Sequence, residues 1–165
     1  LQQGLVDGPM CTTATDEWTT YKEVKLAGDT IKTVCGGHNG IETRMPVTFT
    51  KLVSTGRISL GRFADITSSN AAKILGMYPQ KGAIAAGSDA DIALIDTNFK
   101  RKLTMDDFHI TDYSIWEGFE ADGWPVTTIL RGNVVVDNRE FKAAPGSGQF
   151  IPRKVDAAIT NSPKA

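Results

Sequence analysis

Cysteine and histidine are scarce in this chain, and their scarcity excludes the common local metal and redox motifs. The 165 residues include two cysteines, Cys11 and Cys35, and two histidines, His38 and His109. No CxxC, HxH or HExxH pattern occurs, so this chain alone provides no recognisable zinc site. The cysteines predict two reduced, buried thiols in a cytoplasmic protein, while a disulfide between them stays open as an alternative.

An excess of charge of one sign and long apolar runs are also absent. The formal net charge is −1, with 22% charged and 41% hydrophobic residues, which is a globular composition. No basic field therefore indicates nucleic acid as a partner. The longest apolar runs, such as residues 134–136, are far too short to cross a bilayer, so we expect no membrane partner. No charged-then-apolar leader opens these residues.

The first half of the chain alternates a β-prone run, a loop and helical patterns. Residues 9–16 are rich in threonine and favour a strand that ends in an acid. Residues 34–40 are rich in glycine and predict a loop. Apolar spacing then predicts helices within residues 46–54 and 59–76, the second with Ser59 as its N-cap.

The pattern changes at Lys81, where glycine and serine begin to separate short apolar runs. Residues 90–96 read as a buried strand, and residues 127–136 predict a hairpin with its turn at Gly132-Asn133. From Ala143 onward the frequent proline and glycine favour an extended arm.

Several longer runs carry a resemblance to a known family. They are LGRFADITSSNAAKILG at 60–76, KGAIAAGSDADI at 81–92, GIETR at 40–44, DYSIWEG at 112–118 and PGSGQF at 145–150. With these runs the chain resembles the carboxyl-terminal part of the cyclic amidohydrolases, in the branch of the hydantoinases and dihydropyrimidinases. The KGAIAAGSDADI run is shared widely in the superfamily, and the other runs add the specificity.

The resemblance implies an α/β fold that is one part of a larger enzyme. Residues 1–80 would form the end of a metal-dependent-hydrolase (β/α)8 barrel, with its final strand, a loop and helices. Residues 81–142 would supply strands of a small β-sandwich domain, and residues 143–165 would form an extended tail. Because the family's chains are much longer and this one starts at Leu1, we expect a fragment.

Asp16 is the candidate catalytic and metal-binding residue. By the resemblance it ends the last barrel strand, binds one of two divalent metal ions, expected to be zinc, and accepts a proton from the attacking water. The alternative is a turn aspartate whose carboxylate caps backbone N–H groups. Glu17 follows where many relatives have histidine, which leaves the substrate open.

The glycine-rich loop is the candidate substrate-binding site. The resemblance assigns Gly36, Gly37 and His38 to a loop whose backbone contacts the ring of the substrate, and glycine permits such close approach. The alternative for His38 is a loop histidine with a local hydrogen bond. Glu42 and Arg44 are expected to form a structural charge pair.

The resemblance predicts hydrolysis of a cyclic amide C–N bond, in a hydantoin or dihydropyrimidine ring, by the full-length enzyme. The other metal ligands belong to upstream strands, so we expect the isolated chain to be inactive and to depend on the remainder of the enzyme. The family commonly forms homotetramers, and residues 112–124 and 149–154 are candidate contact elements. Two alternatives stay open: a non-catalytic, dihydropyrimidinase-like assembly scaffold, and an amidohydrolase acting on allantoin or dihydroorotate.

Overall fold

The computed structural model describes residues 8–109 and 111–161. Its helices lie mainly in the first half of the chain. In chain order they are α1 (Lys22–Leu26), α2 (Ile41–Thr48), which continues into a π-helical turn (Phe49–Val53), α3 (Leu60–Ala64), a second π-helical turn (Asp65–Ser69), α4 (Asn70–Ile74), a 3-10 turn (Met105–Asp107) and α5 (Ala157–Asn161).

The helical stretch from α3 to α4 follows the sequence prediction. Ser59 lies in extended backbone, and its Oγ accepts a hydrogen bond from the Arg62 N–H at 3.1 Å, which confirms the predicted N-cap. At the other end Gly76 has a φ of 70°, the left-handed conformation that glycine adopts without steric cost. The boundaries of this stretch therefore follow from local residue chemistry.

The helix predicted within residues 46–54 begins earlier than the sequence indicated. Helix α2 starts at Ile41 rather than at residue 46, and Pro46 lies inside it. A helix tolerates proline in its first turn, but Pro46 lies beyond that turn and donates no backbone N–H to the helix. The carboxylate of Glu17, which is distant in the sequence, binds the N-terminus of α2. The local sequence pattern does not indicate this contact.

The second half forms one antiparallel sheet of four strands in the order β1-β2-β3-β4. The strands are β1 (Ile92–Lys102), β2 (Glu120–Leu130), β3 (Asn133–Asp137) and β4 (Glu140–Phe141). The predicted hairpin is present, but its turn is shifted by one residue, because Leu130 pairs with Asn133. Arg131 and Gly132 form the turn, with φ of 48° and 78°. The Arg131 N–H is held by Asp91 Oδ1 at 2.8 Å.

Two apolar clusters stabilise the two halves. The helical cluster contains Phe49, Leu52, Ile58, Phe63 and Ile66, and the sheet cluster contains Leu103, Phe108, Ala121 and Trp124. The halves meet where Phe49 lies against Gly123, at which an added Cβ would come within 2.5 Å of the ring. Beside this contact the Asp122 N–H donates to Thr50 Oγ1 at 2.9 Å. The sheet is thus attached directly to the helical half.

Two predicted elements differ from the structure. The run at residues 9–16 forms no strand, since the strands among the described residues all belong to the sheet of β1–β4 and none pairs with it. It instead lies against the second π-helical turn, where the Thr13 N–H donates to the Ile66 carbonyl at 2.8 Å. Within the predicted extended tail, residues Ala157–Asn161 form helix α5.

Two further observations concern redox state and membranes. Cys11 and Cys35 are both free and half-buried, so the alternative of a disulfide between them is not realised. Across residues 8–109 and 111–161, none of the helices combines the length and apolar character needed to cross a bilayer. The proposed division into residues 1–80, 81–142 and 143–165 stays a prediction.

Candidate functional site

Asp16 has an unusual backbone conformation. Its φ is 51°, in the left-handed region that non-glycine residues rarely adopt and that aspartate tolerates better than most. The residue is exposed, and within the part of the chain that the structure describes no hydrogen bond or ion pair uses its carboxylate. The capping role considered as an alternative for Asp16 is therefore not observed among these residues.

Glu17, the next residue, performs that capping instead. Its Oε2 accepts hydrogen bonds from the N–H groups of Gly40 at 2.6 Å and Ile41 at 2.5 Å, at the start of α2. Its Oε1 accepts from the Thr19 hydroxyl at 2.7 Å. Burial opposes ionisation of Glu17, but these hydrogen bonds outweigh it and lower the pKa of the carboxyl group. The helix N-terminus also favours a negative charge there.

The residues on both sides of Asp16 contact the glycine-rich loop or its end. Upstream, Thr15 lies against Gly40, where an added Cβ would come within 3.3 Å of the threonine Cβ. Downstream, Gly37 has a φ of 78°, and an added Cβ there would lie 2.4 Å from the Trp18 Cβ. The Trp18 N–H also donates to the His38 carbonyl at 3.3 Å. Glycine is therefore required at Gly37 by both conformation and space.

Lys25 supports the same loop from α1. Its Nζ donates to the carbonyl oxygens of Cys35 and Gly37, both at 2.6 Å. Nδ1 of His38 lies 3.2 Å from the Asn39 carbonyl oxygen, which is the local hydrogen bond foreseen as the alternative for this histidine. None of these bonds uses the N–H groups of Gly36, Gly37 or His38, so the loop is held through its carbonyl side.

A segment between β1 and β2 supports the loop from behind. Asn39 is buried, and its Nδ2 donates to the Tyr113 carbonyl at 3.0 Å. Asp112 Oδ1 accepts from the Lys22 N–H at 3.0 Å. The sheet half therefore contributes to the position of the candidate substrate loop.

The predicted charge pair between Glu42 and Arg44 is wrong. Glu42 instead binds His109, whose N–H donates to Oε2 at 3.0 Å and whose Nδ1 lies 2.6 Å from Oε1. Arg44 Nη1 donates to the Thr13 hydroxyl at 2.8 Å. Residues two apart on a helix point in different directions, and the two side chains accordingly reach different neighbours.

The described residues provide one carboxylate suited to a metal, not a complete metal centre. The carboxylate of Asp16 is exposed, and carboxylate oxygens are common ligands of divalent metal ions. Among residues 8–109 and 111–161, however, no three histidine, cysteine, aspartate or glutamate side chains come together as a metal site requires. Any such centre would draw its remaining ligands from outside the described residues.

Sequence reasoning missed Glu17, Lys25 and Asn39 as parts of this site. Glu17 and Gly40 are separated by 23 positions, and Asn39 and the Tyr113 carbonyl by 74. No local pattern links residues that far apart, so only the tertiary structure reveals these hydrogen bonds.

With this geometry in view, comparison with known proteins identifies the class. The sequence profile of the Amidohydrolase family matches residues 1–135, and the chain belongs to that family. Its relatives include dihydropyrimidinase 2 of Caenorhabditis elegans, 43% identical over 164 residues, covering 98% of this chain and 32% of the relative. The dihydropyrimidinase of Rattus norvegicus is 40% identical over 152 residues, covering 91% of this chain and 29% of the relative.

Solved structures agree with the sequence matches. The crystal structure of dihydropyrimidinase from Brevibacillus agri superposes with a TM-score of 0.85 at 38% identity, covering 94% of this chain and 34% of that one. The predicted resemblance and the predicted fold class are confirmed. The chain spans about a third of the length of the relatives it matches. The roles of Asp16, Gly36, Gly37 and His38 stay predictions.

Proposed function

We propose that this chain is part of a metal-dependent enzyme that hydrolyses the C–N bond of a cyclic amide, in a dihydropyrimidine or hydantoin ring. The observation that carries the proposal is that the residues flanking Asp16 contact the glycine-rich loop, Thr15 at Gly40 and Trp18 at Gly37, while no described residue pairs with the Asp16 carboxylate. Relatives named dihydropyrimidinase and D-phenylhydantoinase support the reaction class.

The proposed chemistry divides between a carboxylate and a backbone loop. Two divalent metal ions, for which we propose zinc, supply activation of the attacking water when they are bound. Asp16 is the ligand that this chain contributes, and its carboxylate accepts the proton that the attacking water loses. Backbone groups of Gly36, Gly37 and His38 hold the substrate ring, because a glycine backbone allows a ligand to approach closely.

The remaining surface supports a larger assembly. Ile31 and Phe150 are 93% and 92% exposed, and an apolar cavity of about 590 Å³ opens beside Trp124 and Phe141. An apolar cavity open at the surface is a common place for a partner to bind. We propose that the remainder of the enzyme and other subunits of a homotetramer cover it, and that two free thiols suit a cytoplasmic location.

Ring opening by the full-length protein tests the proposal. We expect zinc-loaded protein to hydrolyse dihydrouracil or hydantoin, and the variant Asp16→Asn to lose at least about 100-fold in kcat, because proton acceptance by a positioned side chain contributes that much. The matched control is Asp137→Asn, which removes a carboxylate paired with Lys142 at the end of β3.

The substrate panel separates the alternatives. Turnover of allantoin or dihydroorotate in place of both expected rings would assign a different cyclic amide. An absence of turnover on all four substrates, in folded and zinc-loaded protein, would overturn the proposal and favour a scaffold. Full activity in Asp16→Asn would refute the role of that carboxylate.

A further inference from the structure

The feature that carries a further inference is the carboxylate of Glu17, the residue next to Asp16. It binds the end of the glycine-rich loop. One oxygen accepts the N–H groups of Gly40 and Ile41 at 2.6 and 2.5 Å, and the other accepts the Thr19 hydroxyl. Hydrogen bonds from N–H groups to a carboxylate are about twice as strong as those between neutral groups. The connection therefore spans 23 residues with charge-assisted bonds.

The arrangement fixes the distance between two parts of the site. Asp16 and Glu17 are adjacent in the backbone, so a bond from Glu17 to Gly40 limits how far Asp16 can move from the loop. The other end of the loop is held by Lys25, through the carbonyls of Cys35 and Gly37. Two charged side chains consequently hold this loop by its backbone: Lys25 at Cys35 and Gly37, and Glu17 at Gly40 and Ile41.

We propose that Glu17 is a positioning residue that holds the substrate-binding backbone of residues 36–38 in place. This inference rests on the proposed function. Because all the observed partners of Glu17 are donors within the chain, it acts through the loop rather than on the substrate. A loosened loop binds the substrate ring more weakly, both in the ground state and in the transition state. A loss of binding that is equal in the two states raises KM more than it lowers kcat.

Two substitutions at Glu17 test how strongly its carboxylate holds the loop. Glu17→Ala removes both hydrogen bonds to the start of α2. Glu17→Gln retains one carbonyl oxygen that can accept from Gly40 and Ile41, although without charge. Glu23→Ala is the matched control, because Glu23 is an exposed glutamate on α1. A positioning role predicts that the Gln variant recovers part of what the Ala variant loses.

The experiment measures two quantities on the full-length protein. Hydrogen exchange of the amides at 36–41 reports the loop directly, and steady-state kinetics on the substrate of the wild-type enzyme report its consequence. We expect Glu17→Ala to accelerate exchange at Gly40 and Ile41 by about tenfold or more, since a hydrogen bond to a charged group is worth that factor. KM should rise about five- to tenfold with kcat within about threefold.

Each outcome decides the question. Glu17→Gln should fall between wild type and Glu17→Ala in both quantities, and Glu23→Ala should match wild type. Unchanged exchange in both Glu17 variants would overturn the proposal, as would a fall in kcat with KM unchanged. If the wild-type protein turns over no cyclic amide, the proposed function fails on its own. The exchange data then still decide whether Glu17 holds the loop.

Discussion

The helical half and the sheet half each contain a carboxylate that accepts backbone N–H groups, but the two differ in their neighbours. Asp107, in the sheet half, is fully buried and accepts from the Thr104 N–H at 2.9 Å. Its other oxygen lies 2.7 and 3.2 Å from the guanidinium nitrogens of Arg139 and Arg101. Glu17, in the helical half, has backbone N–H groups and a hydroxyl in place of the arginines.

The difference separates a structural carboxylate from one that holds a candidate site. Two cations compensate the buried charge of Asp107, and all three residues lie within the sheet half, so the group stabilises that half internally. The Glu17 carboxylate instead connects segments 23 residues apart at the loop beside Asp16. Substitutions at Asp107 should therefore reduce stability, and substitutions at Glu17 should alter the loop.

The largest expected effect is on the packing of the helical half. Phe63 is buried and packs edge-on against Phe49, with ring centroids 5.5 Å apart. Phe63→Ala should lower the free energy of unfolding by about 3–5 kcal/mol, because it removes a buried ring and leaves a cavity. Chemical denaturation of the full-length protein measures this loss.

Leu60→Ala on the same helix is the control for that measurement. Leu60 is 60% exposed, so its truncation should change the free energy of unfolding by less than about 1 kcal/mol. Equal losses for the two variants would contradict the assignment of Phe63 to the helical cluster.

The next effect concerns the ion pairs of the sheet half. Asp107→Asn keeps the shape of the side chain but leaves Arg101 and Arg139 without their shared negative partner. The free energy of unfolding should fall by about 2–3 kcal/mol, the range for lost hydrogen bonds to charged groups. Asp106→Asn changes the exposed neighbour and should have little effect. An unchanged free energy of unfolding in Asp107→Asn would mean that the two arginines find other partners without loss of stability.

The same carboxylate predicts a dependence on pH. Burial opposes ionisation of Asp107, but the Thr104 N–H and the two arginines outweigh it and lower its pKa below the ordinary value of 3.8. A lowered pKa in the folded state contributes stability above the ordinary value, and that contribution is lost as pH falls through the folded value. Stability of Asp107→Asn should therefore vary less with pH below about 4 than that of wild type. Denaturation at a series of acidic pH values measures the difference.

The smallest effect is expected at the N-cap of α3. Ser59→Ala removes the acceptor of the Arg62 N–H and should cost about 1 kcal/mol, while Ser59→Asp should retain most of it. Thermal or chemical unfolding compares the two variants. An unchanged free energy of unfolding in Ser59→Ala would show that the cap contributes nothing.

Local chemistry explains which parts of this fold the sequence predicts. The Ser59 cap, the stop at Gly76 and the β2–β3 hairpin each depend on a few adjacent residues, and each is present. The turn of that hairpin was placed one residue late, because a carboxylate 40 positions away holds the Arg131 N–H in a conformation that arginine seldom adopts. Local patterns carry no trace of such a partner.

The candidate site divides in the same way. The resemblance to the amidohydrolases drew attention to Asp16 and to residues 36–38, and the neighbours of Asp16, Thr15 and Trp18, contact Gly40 and Gly37. The hydrogen bonds that hold them together come from Glu17, Lys25 and Asn39, each of which reaches a backbone group outside its own turn. The expected strand at 9–16 lacks a neighbour among the described residues, so a strand-forming composition alone did not produce one.

The content of divalent metal in the full-length protein tests the central claim most directly. Elemental analysis of wild type, Asp16→Asn and the control Asp137→Asn, each purified in zinc, compares the metal bound per chain. If Asp16 is a ligand, wild type and Asp137→Asn carry the same amount of metal, and Asp16→Asn carries clearly less. Equal metal in all three proteins would contradict the assignment of Asp16 to a metal centre.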